Sequence, residues 1–486
     1  MIYKLRPYQE ECVKSISDYI NSDRHDPVLV IGPVGCGKSI LIAEAARLMG
    51  DKTLVLQPSR ELLIQNHNKI TSYGIPAAIY SASCGKKELS NMIYATLGSI
   101  KKVVGQLKEM GIRNVLIDEA HAGYSPEDGS EFMTFMNELK PKKVIGFTAT
   151  PCRLKTMSIG QVSYSQLNFI TRMRPVYFKN LIHIIQVEEM IRQGFWTPLK
   201  YETWDFNGDA LKLNSNGSEY TAESISEAVR KNGLNNLILR RLMVLKDVCR
   251  SILVFMDSVE SCNTAAEWMN AKICAGMAEV VHGGTPKRQR EAIVERFKSG
   301  GTQVVFNYSA LGTGFDHPGL DCVVFGRPTF SFSTWYQAIG RAVRIKDGKD
   351  SAMVVDCCDN SSRLGDIRGL SIENYKGYGW GMFVGDKLIT NIPMGDKVTK
   401  TDLDIKAAKK DRRRGLAQGI TASPVPGRPD HPLGSTVMTF GKYCGWMLHS
   451  IPVSYLKFIN ETFDWDNDRN KDIKEYIDFL IKNNRL

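Results

Sequence analysis

At 486 residues, with 43% apolar and 24% charged side chains, the chain reads as an ordinary globular protein too long for a single hydrophobic core. No run is long enough to cross a bilayer and residues 1–7 lack the apolar stretch of a secretion signal, so membrane insertion and export are not expected. A net charge of +11 favours a polyanionic partner, and eleven scattered cysteines without a CxxC pair argue for reduced thiols rather than a zinc site or disulfide framework.

The first strong element is the apolar run Pro27-Val28-Leu29-Val30-Ile31, followed at once by Gly32-Pro33-Val34-Gly35-Cys36-Gly37-Lys38-Ser39. This octapeptide fits the phosphate-binding loop. A buried strand delivers the chain to a glycine-rich turn whose backbone N–H groups close around a polyphosphate, and a helix over 40–49 points its positive end at it. Lys38 is then placed for the β- and γ-phosphates and Ser39 for Mg²⁺, the pattern of a nucleotide triphosphatase.

From 28 to 150 short apolar runs alternate with helix-like stretches: Thr53-Leu54-Val55-Leu56, Ser99-Ile100, Asn114-Val115-Leu116-Ile117 and Lys143-Val144-Ile145-Gly146-Phe147. Such alternation predicts a parallel sheet covered on both faces. Eighty residues past Lys38 the third run ends in Asp118-Glu119. Adjacent acids there suit Mg-ATP hydrolysis, Asp118 for the metal shell and Glu119 to orient and deprotonate the attacking water. A second series of strands runs through Ser251-Ile252-Leu253-Val254-Phe255, Ala278-Glu279-Val280-Val281, Gln303-Val304-Val305-Phe306, Cys322-Val323-Val324-Phe325 and Met353-Val354-Val355, without a phosphate loop of its own.

Between the two series, 152–248 is rich in aromatic and basic residues and reads as an accessory insertion. After Asp356 the pattern decays. The segment 406–414 carries six basic residues against one acid, and 415–434 reads as a flexible linker. A compact module starts near Val437 and ends in an amphipathic helix with Ile473, Tyr476, Ile477 and Leu480 on one face. The expected organisation is therefore 1–200, a first ATP-binding lobe; 201–395, a second lobe; 396–434, a basic tether; and 435–486, a small terminal module.

With Asp118-Glu119-Ala120-His121 in place, residues 2–356 resemble the superfamily 2 helicases of DEAD/DEAH-box type. The resemblance implies an α/β fold of two tandem RecA-like parallel-sheet lobes plus a small C-terminal α+β module, with ATP and Mg²⁺ as cofactors. Within Leu5-Arg6-Pro7-Tyr8-Gln9 it gives Gln9 the reading of adenine. Pro58, Ser59 and Arg60, then Thr96, Gly98 and Ser99, resemble strand-contacting motifs, with Ser258 and Thr313 their counterparts in the second lobe. His121, Thr148, Thr150 and Gln337 correspond to residues that couple hydrolysis to lobe movement. Gly314 and Asp316 correspond to nucleotide contacts, and Gln337-Ala338-Ile339-Gly340-Arg341-Ala342-Val343-Arg344 places Arg341 and Arg344 at the γ-phosphate, Arg344 as the arginine finger.

The nearest resemblance is to the RadD-like bacterial DNA-repair helicases, carried by Leu5-Arg6-Pro7-Tyr8-Gln9, Glu61-Leu62-Leu63-Ile64-Gln65-Asn66-His67, Gly194-Phe195-Trp196-Thr197-Pro198 and Thr313-Gly314-Phe315-Asp316; their cysteine-rich, zinc-binding tail has no counterpart. Phe440-Gly441-Lys442-Tyr443-Cys444-Gly445 resembles an FGKYxG module of phage and bacterial proteins. These likenesses imply an ATP-dependent DNA helicase or translocase acting on single-stranded, forked or branched DNA in replication, recombination, repair or branch migration. The implied setting is the bacterial cytoplasm, including that of a phage-infected host. An RNA helicase, or a motor subunit recruiting a protein partner through its C-terminal module, remains open as an alternative. Aromatic residues in 172–196, Phe195 and Trp196 among them, are expected to form a strand-separating wedge. Phe440, Tyr443, Trp446 and Tyr455 are expected to make a tiny core, with Lys442 free for a phosphate.

Overall fold

The computed structural model describes residues 3–159, 162–215, 217–310, 317–376, 378–394, 396–405, 407, 432–436, 438, 443, 446–462, 465 and 470–483. Thr313, Gly314 and Asp316, and in the C-terminal module Phe440 and Lys442, lie outside the described residues. The chain forms two compact units, 1–404 and 405–486.

Short runs of consecutive apolar residues become strands buried on both faces, because only a parallel sheet covered by helices on either side hides every side chain of such a run. In the first lobe these are β1 (Val28–Ile31), β2 (Thr53–Leu56), β3 (Ala78–Ser81), β5 (Met92–Ala95), β6 (Asn114–Ile117) and β7 (Lys143–Thr148), every residue of each buried. With the edge strand β4 (Lys86–Lys87) and β10 (Asn180–Ile184) they form an eight-stranded sheet in the order β10-β1-β7-β6-β2-β5-β3-β4. Only the β3–β4 pair is antiparallel. Helices α1 (Pro7–Asn21), α2 (Lys38–Met49) and α3 (Arg60–Thr71) belong to this lobe.

Register puts the carboxyl ends of the three central strands level. Ile31 pairs with Thr148 across β1 and β7, and Ile117 with Gly146 across β6 and β7. The phosphate loop, Asp118-Glu119 and Thr148-Ala149-Thr150 therefore emerge side by side.

The expected strand at Ser99-Ile100 is instead a helix, Leu97–Ile100; the strand is β5, whose Ile93 and Tyr94 suit a pleated surface better than the Gly98-Ser99 pair. The stretch 152–248 is not an insertion. It supplies the antiparallel ribbon β8 (Cys152–Ile159) and β9 (Val162–Phe169), then β10 at the edge of the first sheet, then β11 (Leu199–Thr203) at the edge of the second.

The second sheet is wholly parallel, β11-β16-β15-β12-β14-β13, built from β12 (Ile252–Phe255), β13 (Ala278–His282), β14 (Val304–Tyr308), β15 (Cys322–Phe325) and β16 (Ala352–Asp356). Where the pattern fades after Asp356, the chain folds an antiparallel meander of β17 (Leu370–Tyr375), β18 (Gly379–Val384), β19 (Lys387–Leu388) and β20 (Val398–Thr399), so regular structure continues past residue 395. One hydrophobic cluster spans both lobes, from Val30 and Phe147 to Phe325, Trp335 and Val354.

In the unit 405–486, helices Val453–Thr462 and Lys471–Lys482 close on Met438, Leu448, Ile451, Leu456 and Ile459, with Ile473, Tyr476, Ile477 and Leu480 facing inward. Tyr443, Trp446 and Tyr455 are only partly buried against this aliphatic core, which they were expected to form themselves.

Gly146 shows how tightly the first sheet is packed. A Cβ there would stand 2.8 Å from Phe178 Cζ and 2.9 Å from both Ala120 Cβ and Leu29 Cδ1. Gly146→Ala is expected to lower the unfolding free energy of the first lobe by about 1–3 kcal/mol, the usual cost of overpacking, measured by urea denaturation.

Candidate nucleotide site

The loop from Gly32 to Gly37 owes its path to its glycines. Gly35 and Gly37 adopt φ of +80° and +82°, which other residues enter only with strain. A Cβ on Gly37 would meet Gln9 Nε2 at 2.5 Å, and one on Gly32 would meet Cys36 Sγ at 2.7 Å. Gly37 is the residue preceding α2, so the helix starts at Lys38 and Ser39 and presents its unpaired N–H groups to the loop.

Lys38 Nζ lies 2.5 Å from Glu119 Oε1. Asp118 accepts the Glu119 backbone N–H at 2.9 Å through Oδ1 and the Asn66 amide at 2.9 Å through Oδ2. Glu119 sits at φ +47°, an unusual conformation that turns its carboxylate towards Lys38. Burial would raise the Glu119 pKa, but the charges of Lys38 and His121 and the Lys38 hydrogen bond hold it below the ordinary value. Its partner acid goes the other way: burial outweighs the attraction of Lys38 and lifts Asp118 to about 6. Glu119 Oε2 is buried and makes no hydrogen bond, an acceptor left open for a water molecule.

Behind Glu119, His121 Nδ1 is 2.8 Å from Thr148 Oγ1 and 3.4 Å from Glu119 Oε2, while its Nε2 is 2.9 Å from Thr150 Oγ1. The imidazole therefore links the acid to both threonines expected to couple hydrolysis to movement. Thr148 in turn accepts from the loop at its first residue, Gly32 N to Thr148 O at 3.0 Å.

Across the cleft lies the second lobe. A cavity of about 380 Å³ is lined on one side by Lys38, Ser39, Asp118 and Glu119 and on the other by Gln337 and the two arginines, Arg341 and Arg344. Burial pushes the Arg341 guanidinium down to about 10 and lowers that of Arg344, so both are drawn out of water, as charge meant for a buried anion would be. Gly340 touches the loop: a Cβ there would fall 2.4 Å from Val34 Cβ.

Asn66 and Arg153 were given no role by the sequence, and Gln9, expected to read adenine, has other partners. Asn66 positions Asp118 and is tied to Gln57 at 3.1 Å. Arg153 donates to the carbonyl oxygens of Ala120 and Tyr124, at 3.3 and 2.5 Å, bracing the turn after the acids. Gln9 is almost wholly buried, its Oε1 accepting from Arg6 N at 3.0 Å and its Nε2 donating to Cys36 O at 2.9 Å. It thus braces the phosphate loop, beside Tyr8, whose hydroxyl donates to the same carbonyl at 3.1 Å.

Phe195 and Trp196 are not placed as a wedge. The Arg6 guanidinium lies 4.6 Å over the Phe195 ring, Tyr8 packs edge-on against that ring at 5.2 Å, and both Arg6 and Phe195 line the cleft, a flat pair suited to stack on a nucleobase. The Trp196 indole is buried and donates to Val34 O at 2.9 Å.

Among the described residues, those expected to touch a nucleic-acid strand share the carboxyl edges of the sheets but do not line this cleft. Ser59 caps α3 by accepting from Leu62 N, and Arg60 is the first residue of that helix, after exposed Pro58. Thr96 Oγ1 bonds Ser99 Oγ at 3.2 Å and Ser81 Oγ at 3.1 Å, and Gly98 is open to solvent. Ser258 caps the helix Val259–Lys272.

Two family models match the chain, one described as the type III restriction enzyme res subunit, over residues 2–153, and one as the helicase conserved C-terminal domain, over residues 235–346. The chain carries a superfamily 2 helicase motor. Its sequence is 23% identical over 378 residues to the Saccharomyces cerevisiae protein named as ATP-dependent helicase IRC3, covering 74% of this chain and 52% of that protein. It is 24% identical over 332 residues to a 51.5 kDa protein of a Lactococcus phage, covering 68% and 65%. The chain thus spans between about half and two thirds of the length of these relatives. The motor's fold matches an ATP-dependent type ISP restriction-modification enzyme, LlaBIII, solved bound to DNA, with a TM-score of 0.54 at 16% identity over 74% of this chain and 28% of that one. Among the described residues, no helix is long and apolar enough to cross a membrane, and no group of three or more His, Cys, Asp and Glu is arranged to hold a metal ion.

Two outcomes are expected of the motor's site. Burial pulls the His121 pKa down to about 4, whereas the unfolded imidazole takes its proton near the ordinary value of 6.5. The unfolded state thus gains protons first, and stability is lost as pH falls from about 6.5 towards 4. His121→Gln should flatten that part of the fall in Tm, measured by calorimetry in a pH series. Phe195→Ala should weaken ATP binding by roughly fivefold, about 1 kcal/mol of ring stacking, read as the dissociation constant of a fluorescent ATP analogue; a variant that binds ATP like the parent would return Phe195 to a role outside the cleft.

Proposed function

We propose that the chain is an ATP-driven DNA helicase or translocase. The observation that carries this reading is the cleft itself, in which Lys38, Asp118 and Glu119 of the first lobe face Gln337, Arg341 and Arg344 of the second. A site divided between two lobes makes hydrolysis depend on how they meet, and the described strand-contacting candidates follow other strands of the same two sheets, β2, β5 and β12.

In this reading the N–H groups at the start of α2 and Lys38 bind the polyphosphate, Lys38 leaving Glu119 as it does so. Asp118 and Ser39 offer the hard oxygen donors that Mg²⁺ prefers, and would hold it; when bound, the ion neutralises phosphate charge. Glu119, released from Lys38, accepts a proton from a water docked at Oε2. Arg344 stabilises the charge that develops on the transferred phosphoryl group, with Arg341 beside it. His121 feels the change in Glu119 and passes it to Thr148, the last residue of β7, and to Thr150 two residues beyond.

DNA as the track is supported by the RadD-like resemblance and by relatives named as DNA helicases at 22–24% identity. A relative named as a pre-mRNA-splicing RNA helicase, at 23%, makes RNA the second polymer to test. The phage relative supports a phage or bacterial setting, and the RadD-like resemblance a role in replication, recombination or repair. The unit 405–486 is a candidate seat for a protein partner.

The test is steady-state ATP hydrolysis with no polymer and with single-stranded, duplex and forked DNA and RNA, run beside Lys38→Ala, Glu119→Gln and Arg344→Ala. DNA stimulation is expected in the parent and lost in all three, Arg344→Ala by about 10³-fold or more. Stimulation by RNA alone would replace the DNA reading.

A further inference from the structure

The connection between the lobes, residues 194–198, runs from the helix Val187–Arg192 of the first lobe to β11 of the second and borders the nucleotide cleft, which Phe195 lines. Three successive residues of it reach three different parts of the site. Phe195 meets Arg6 and Tyr8, while Trp196 donates from its indole N–H to Val34 O of the phosphate loop at 2.9 Å. Thr197, also buried, donates from its backbone N–H to Val343 O at 2.8 Å and from its hydroxyl to Arg344 O at 2.8 Å.

Lys349 grips the same segment from the other side. Its ammonium donates to Ala342 O at 2.6 Å, Arg344 O at 2.9 Å and Pro318 O at 3.2 Å. The carbonyls of residues 342–344 lie beyond the end of the helix Phe332–Ile339, in irregular backbone with no ladder to pair them. Here each finds a donor, and Arg344 O finds two. Burial pushes the Lys349 pKa down to about 8, against the attraction of Asp321 and with the repulsion of Arg344 and Lys346, so this charge is held among carbonyls at a cost that a solvated lysine would not bear.

We propose that Trp196, Thr197 and Lys349 are positioning residues that hold the backbone of Arg344 at a set distance from the phosphate loop. The idea rests on the reading of Arg344 given above. From Val34 to Arg344 the path is one hydrogen bond to Trp196, one peptide link and one hydrogen bond from Thr197. The close approach of Gly340 to Val34 completes the contact between the two halves. A shift anywhere along this bracket moves the guanidinium relative to the γ-phosphate, and misplacement by about 1 Å can cost on the order of 10²-fold in rate.

The test uses the full chain and measures kcat for polymer-stimulated hydrolysis, the dissociation constant for ATP, and Tm. Thr197→Val keeps the shape and removes the hydroxyl; Thr197→Ser restores it; Trp196→Phe keeps the ring and removes the N–H; Lys349→Met removes the ammonium. The expected result is a kcat lowered by roughly 10- to 100-fold in Thr197→Val with ATP affinity within about threefold of the parent, rescue by Thr197→Ser, and no further loss when Thr197→Val is added to Arg344→Ala. Losses that multiply in that double variant, or ATP affinity that falls in step with kcat in both Thr197→Val and Trp196→Phe, would overturn the bracket. So would an unimpaired Thr197→Val, Trp196→Phe and Lys349→Met beside an impaired Arg344→Ala. An unimpaired Arg344→Ala would instead overturn the functional reading, and the bracket with it. Because Trp196→Phe and Lys349→Met act on different elements, the test survives if Thr197→Val proves too unstable to assay.

Discussion

Everything in the site is arranged around the pairing of Lys38 with Glu119. Both groups are largely removed from water, and neither would stay charged there alone. Each supplies the field that keeps the other ionised, and breaking such a pair by removing one partner is typically worth about 3–5 kcal/mol. The pair also joins the two chemical duties of the lobe. The lysine that binds phosphate and the carboxylate that handles water share one bond, so a phosphate that draws Lys38 away frees Glu119 at the moment it is needed. Exchange of partners, rather than creation of a charge, is the event that ligand binding has to drive.

The pairing is possible because parallel strands end together. β1 hands its chain to the phosphate loop and β6 hands its chain to the acids, with β7 between them in register. Crossover helices are obligatory in such a sheet, and α2 is therefore available to direct its amino end at the loop. The same logic explains why no other edge of the lobe could serve: at the amino ends of the strands the helices present their carbonyl ends, which repel phosphate.

The elements whose chemistry is local were legible in the sequence. The octapeptide 32–39 needs its glycines at fixed places whatever surrounds it, and Asp118-Glu119 follows an apolar run that only a buried strand explains. Residues whose task depends on distant partners were not legible. Trp196 was expected in a strand-separating wedge because nothing in the sequence says that Val34 O lies within its reach, and Gln9 was expected to turn its amide to adenine because nothing there pairs it with Cys36 O, 27 positions away. The meander β17–β20 was hidden for a different reason. Its strands are short, interrupted by Gly379, Gly381 and Gly385, and half-buried, so the hydrophobic alternation never ran long enough to stand out. Ser99-Ile100 failed as a strand because two apolar or small residues cannot be told from a helical turn without their neighbours.

The meander also bears on how the lobes can move. The amide of Gln186, just before the helix Val187–Arg192, accepts from Ile372 N at 3.1 Å and donates to Ile372 O at 2.8 Å, imitating one more strand against β17. Asn391 ties the meander to the ribbon that leaves the first lobe after Thr150, donating from its backbone to Leu167 O at 2.6 Å and accepting from Phe169 N at 3.0 Å. With the connection 194–198 on one side and these bonds on the other, the two sheets are joined at more than one place and share a hydrophobic cluster. A wide hinge opening would expose that cluster and strip buried amides of their partners, each at about 1–3 kcal/mol. A rotation of a few degrees would do neither, yet would suffice to carry a guanidinium to or from a phosphate, since the electrostatic contact depends on displacements of an ångström.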